Sequence, residues 1–188
     1  MSRLRIALLS LALGALTMPG CIITQANVLA EYDLPNPFTI GPAPAQPLLR
    51  EAVDLNTISE YTDHKDELEG LSDLAVVGRF RTVIGTGGSL ELWITADDTN
   101  FTTYGQVTAG ATKLWGPASI GAAGTPAGTV VIGWDESAKL FDKAGKDLLV
   151  KEVKGDGKFT AYIVSAGATT QTFEVQDGAI LLVISGGI

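Results

Sequence analysis

The chain has 188 residues, with 13 basic and 21 acidic side chains, one histidine and one cysteine, for a formal net charge of −8. That balance excludes nucleic acid as a partner, because phosphate binding draws on clustered Lys and Arg and the closest basic pair beyond the N-terminus, Arg79 and Arg81, is too small a patch. One cysteine excludes an internal disulfide and one histidine excludes the two-histidine zinc motifs, so the sequence predicts no metal or other cofactor and a stability that comes from a core.

Taken in chain order, the first segment has the three parts of an export signal. Arg3 and Arg5 supply the positive region, residues 6–16 the apolar region, and Thr17-Met18-Pro19-Gly20 a short cleavage region. The apolar run holds about a dozen residues where a membrane span needs roughly 20. With Gly20 directly before Cys21, the segment resembles bacterial lipoprotein precursors, although Met18 stands where Leu is usual and Pro19 where Ala or Ser is usual. The resemblance implies that Cys21 becomes the lipidated mature N-terminus. It also implies that Ile22, in place of an Asp, directs the protein to the outer membrane of a Gram-negative envelope. Two or more acyl chains hold a protein to a bilayer stably, at ~0.8 kcal/mol per buried CH₂. Loss of residues 1–20 leaves 168 residues, enough for one domain, and removes two positive charges, which takes the net charge from −8 to −10. The expected organisation is a signal peptide over 1–20, a lipidated start and short tether over 21–27, and a single β-sandwich domain over 28–188.

Ordered sequence is expected from residues 28–34, then a proline-rich connector carrying Pro35, Pro37, Pro42, Pro44 and Pro47, then a strand over 48–54. Thr57 and Glu60 at capping-box spacing, with Ile58, Tyr61, His64 and Leu68 on one stripe, predict a first helix over 57–69 ended by Gly70. In that stripe His64 reads as a partly buried structural residue. Residues 74–94 read as a hairpin: Leu74, Val76, Phe80 and Ile84 share one face, as do Leu90, Leu92 and Ile94. A Gly85-Thr86-Gly87 loop would then set Arg81 opposite Glu91 and Arg79 opposite Trp93. The cluster Asp97-Asp98-Thr99-Asn100 supplies too few oxygens for the 6 to 8 that calcium takes. Weaker strands are expected over 101–108 and 111–120, a loop over 121–128, and a strand over 128–134. Asp135 is placed as the N-cap of a second helix through Ala144, interrupted or ended by Gly145, with a short resumption over 146–153. Lys154-Gly155-Asp156-Gly157-Lys158 reads as a turn. Three strands over 159–165, 170–176 and 179–185 complete the chain, joined by Gly167 and Asp177-Gly178. The last is apolar at six successive positions from Ala179 to Ile184, as a strand covered on both faces would be.

These elements predict a mainly β fold, a two-layer antiparallel β-sandwich with two helical insertions; a small closed β-barrel is the alternative. Signals for catalysis are sparse: neither Gly-x-Ser-x-Gly nor Ser-x-x-Lys occurs, and the carboxylate neighbours Asp97 with Asp98 and Asp135 with Glu136 read as solvated loop charges. A non-enzymatic function is therefore expected. One reading is a membrane-anchored interaction module, with Trp93, Trp115 and Trp134 contributing to a surface for an envelope protein or glycan. The other is a carrier that holds a lipid or similar apolar ligand between its layers.

Overall fold

The computed structural model describes residues 25–96 and 98–187, so the expected signal peptide, Cys21 and Asp97 lie outside it. The described chain is a two-layer β-sandwich without barrel closure. One layer, sheet A, contains β1 (Gln25–Asp33), β2 (Phe38–Ile40), β4 (Leu68–Ile84), β7 (Thr129–Ile132) and β9 (Thr172–Gly187). Sheet B contains β3 (Leu48–Asp54), β5 (Gly88–Thr95), β6 (Thr112–Ile120) and β8 (Lys158–Val164). Strand order is β1–β9–β4–β7 in sheet A, with β2 also on β9, and β3–β8–β5–β6 in sheet B. Every ladder is antiparallel. Where two helical insertions were expected, four α-helices occur among the described residues: α1 (Ser59–Thr62), α2 (Tyr104–Gly110), α3 (Trp134–Ala138) and α4 (Lys143–Lys154).

The core lies between the sheets. Phe80, Leu74, Val76, Phe173, Ile180 and Ile184 face it from sheet A, and Leu90, Leu92, Ile94, Trp115, Phe159 and Ile163 from sheet B. Burying each Phe or Leu there contributes about 1.5–3 kcal/mol. Phe80 and Trp115 meet across the gap with ring centroids 5.9 Å apart. Leu149 and Val153 of α4 join the same core, so this helix closes one side of the sandwich. Gly145 makes the closure possible: a Cβ there would sit 2.8 Å from the Lys113 carbonyl carbon and closer still to Leu114 Cα. Ser137 of α3 carries the adjoining edge, its buried hydroxyl accepting from Val76 N at 2.7 Å and from the Trp115 indole at 3.0 Å. A second, smaller cluster lies on the outside of sheet B, where Val107 of α2 and Phe101 cover Leu48, Tyr162 and Val164.

Several expectations are corrected. β4 and β5 do not form a hairpin; they belong to opposite sheets, and Gly85 and Gly87, at φ of 114° and 91°, turn the chain from one layer into the other. Alternation marks which side of a strand is buried. It is silent on whether two buried sides line one sheet or face each other across a core. Arg81 accordingly pairs with Glu174 of β9, Nε to Oε1 2.8 Å, while Glu91 accepts from the Trp93 indole at 3.0 Å. A register shift between Thr82 and Ile84 leaves Ile84 62% exposed instead of in the core.

The two final strands are one, because Asp177-Gly178 is not a turn. Asp177, at φ of 50°, and Gly78, at φ of 151°, mark an irregularity in the β4–β9 ladder that continues on both sides. The strand buried on both faces is β8, whose outer side is covered from α2, whereas Leu181 and Val183 of β9 stay partly exposed. The helix expected over 57–69 is cut to α1 between two 3₁₀ turns, Leu55–Thr57 and Lys65–Glu67, since β4 claims the chain from Leu68. Residues 101–108 do not form a strand; Thr103 accepts from Gln106 N and starts α2. Asp135 lies inside α3 behind Gly133 at the cap position, and α4 begins at its own cap, Asp142, and runs through Gly145 without a break.

Candidate binding groove

Among the described residues β3 has β8 on one side and no strand on the other, so none of them pairs with its second edge. Antiparallel ladders alternate bonded and non-bonded pairs. Leu55 N donates to Gly157 O at 2.9 Å, in register with the β3–β8 pairs. This phase directs the main chain of Leu49, Glu51 and Val53 to β8. The N–H and C=O groups of Leu48, Arg50 and Ala52 therefore point to the free edge.

Side chains alternate across the same strand. Leu49 and Val53 join the core between the sheets and Leu48 the outer cluster, which puts Glu51 on the inner side and Arg50 on the outer. Concavities follow the edge along its length. A cleft of about 480 Å³ opens on the inner side between β2 and β3, lined by Pro35, Phe38, Pro44, Leu49 and Glu51 among others. One of about 230 Å³ lies beside Pro47, Leu48, Arg50 and Phe101, and another of about 230 Å³ beside Ala52, Val53 and Asp98.

The electrostatics differ on the two sides. Arg50 is engaged outward, its Nε donating to Thr99 O at 3.0 Å and its Nη2 pairing with Asp98. Glu51 forms no ion pair among the described residues, and burial pushes its carboxyl above the ordinary range against the opposing pull of Arg50. Tyr32 of β1 is half-buried nearby; burial first, and then the Glu51 charge, raise its phenol. The cleft walls carry Thr39, Gln46 and Arg50 beside Pro35, Phe38, Pro44 and Leu49, and a carboxylate held there without an ion pair attracts a cation. Among the described residues the groove holds no nucleophile–base pair of the kind nucleophilic catalysis uses.

The residues expected to bind are scattered. Trp115 is buried and serves the core through Ser137, so it presents no surface. Trp93 is half-buried on the outer side of sheet B, and Trp134, whose indole donates to Asp73 Oδ2 at 2.8 Å, belongs to α3 beside β4 of sheet A. The three do not form one patch. His64 is half-exposed, with Nδ1 3.9 Å from Glu67 Oε2. Asp98 pairs with Arg50, and Asp135 and Glu136 are exposed in the first turn of α3. Among the described residues no group of three or more His, Cys, Asp or Glu is placed to hold a metal. Glu51 was missed, although a signal existed: within Leu49-Glu51-Val53 it is the one charge at a buried parity.

No protein-family model and no curated protein matches the chain. Among solved structures, "Desmodium yellow mottle tymovirus" is 15% identical over 87% of this chain and 90% of that one, with a TM-score of 0.26. At that level the fold assignment rests on the sheets themselves.

Proposed function

We propose that this chain is an exported lipoprotein, anchored through Cys21 to the outer membrane, whose β-sandwich is a non-enzymatic binding module for an envelope partner. The supporting observation is where free space lies. Between the sheets the positions that a carried lipid would occupy are taken by Trp115, Phe80, Phe173, Leu92 and Leu114, all fully buried, while three clefts lie along the unpaired edge of β3 and a further one, of about 410 Å³, lies beside Asp33, Asn36 and Asp177. A filled core with a grooved edge suits recognition at the surface.

Position relative to the bilayer follows from the same reading. β1 begins at Gln25, four residues past Cys21, and four extended residues reach at most about 14 Å. On this reading the start of β1 lies close to the membrane. Two measurements test the proposal. Cys21→Ser releases the protein from the membrane fraction, and unchanged retention refutes the anchor. Native mass spectrometry of the gently purified full chain shows the bare protein mass after the anchor is accounted for; a second, copurified lipid refutes the module in favour of a carrier.

A further inference from the structure

Three properties of the β3 edge converge on one kind of occupant. Its main chain offers N–H and C=O groups at Leu48, Arg50 and Ala52 with no partner among the described residues, at the 2-residue spacing that a neighbouring strand requires. Its two sides carry separate concavities, about 480 Å³ inside and about 230 Å³ outside, which is where alternate side chains of an added strand would go. The inner concavity contains Glu51, to which no described residue brings a paired cation, beneath walls made by Phe38, Pro35, Pro44 and Leu49.

We propose that the β3 edge binds an extended peptide as a fifth strand of sheet B and that the inner cleft takes a lysine or arginine side chain of that peptide onto Glu51. The assignment rests on the binding-module reading and names its ligand class. Main-chain pairing at Arg50 and Ala52 supplies affinity without regard to sequence, and the inner cleft supplies the choice. The stem of a basic side chain lies along Phe38 and the prolines while its charge meets the carboxylate. Arg50 also lines this cleft, but its guanidinium is engaged by Asp98 and the Thr99 carbonyl, so it forms no ion pair with Glu51. A domain that carries a net charge of −8 before any processing also favours the approach of a basic segment.

A neutral acid group would not compensate Glu51, and a hydrocarbon side chain would leave it more buried and still unpaired. The discriminating probe is therefore the acetylated, amidated peptide Thr-Val-Lys-Val-Thr, compared with the same peptide carrying norleucine for lysine. Binding to the full chain is read by fluorescence anisotropy, and amide hydrogen exchange reads the edge. The expected result is at least a tenfold preference for the lysine peptide, with slowed exchange at Arg50 and Ala52. Ala52→Pro removes one outward N–H on an edge that tolerates proline, and is expected to abolish binding. Glu51→Gln is expected to keep weak binding and erase the lysine preference. It also keeps the proposal testable should Ala52→Pro fail to fold. No binding at millimolar peptide, equal binding of the two peptides, or a lysine preference that survives Glu51→Gln overturns the assignment. Any of these leaves the binding-module reading to its own test, which copurified lipid alone would fail.

Discussion

Gly145 allows two physical rules to be set against each other in one substitution. In a helix interior Ala is favoured over Gly by about 1 kcal/mol, so propensity alone predicts that Gly145→Ala stabilises the protein. Packing predicts the reverse. Real Cβ atoms essentially never approach another heavy atom within 3.0 Å, and at Gly145 the new atom would lie inside that limit from the Lys113 carbonyl carbon and oxygen and from Leu114 Cα. All three are backbone atoms of β6, so no side chain can rotate away. To fit, α4 must lift from β6, which loosens Leu149 and Val153 from the core and strains the bond from Asp142 N to Leu114 O. Overpacking of this kind costs about 1–3 kcal/mol, and the partial loss of two buried side chains raises it, so a net destabilisation of roughly 2–4 kcal/mol is expected after the propensity gain. Gly105 of α2 is the control, because a Cβ there meets nothing within 4 Å. Gly105→Ala should stabilise by up to about 1 kcal/mol. In thermal unfolding a domain of this size moves about 2–4 °C per kcal/mol, so the two variants should separate by well over 5 °C in opposite directions. A Gly145→Ala protein that melts at or above the parent temperature would refute the close helix–strand contact.

Ser137→Ala removes the acceptor shared by Val76 N and the Trp115 indole and leaves two buried donors unsatisfied; urea unfolding should show a loss of roughly 2–4 kcal/mol. Glu51 predicts a pH effect. Its folded pKa lies above the ordinary 4.5, so its favourable contribution is complete below that value and is lost as pH rises through the folded pKa. Glu51→Gln, which removes this dependence while Arg50 and Tyr32 remain, should therefore gain stability relative to the parent as pH rises past the carboxylate range, as chemical unfolding at several pH values will show. Ending the chain after Asp177 deletes the half of β9 that pairs with β1, and should leave no cooperative unfolding transition by circular dichroism.

Much of the fold was legible because burial leaves a local trace. The strand predicted over 48–54 is β3, and the faces of Leu90, Leu92 and Ile94 and of Leu74, Val76 and Phe80 were assigned correctly. What was missed depends on partners distant in the chain. Whether β4 and β5 share a sheet is decided by β9 and β8, which lie more than sixty residues further on. The apolar run in β9 invited a two-face burial that α2 instead supplies to β8. Residues 57–69 had the stripe of a helix, yet Leu68 and Leu71 are more useful in β4, and a 17-residue strand overrides a short amphipathic pattern. The groove was invisible for a simpler reason. A free edge is defined by a strand that is missing, and its one local mark was Glu51 between Leu49 and Val53.

The position of β9 has a consequence for the order of events during biogenesis. Synthesis delivers this strand after β1, β2 and β4, the three strands that it joins. Until its 16 residues arrive, β1 and β2 have no neighbour in sheet A and β4 has only β7. Strands β1 and β4 are therefore joined into one sheet only by the strand made after them both.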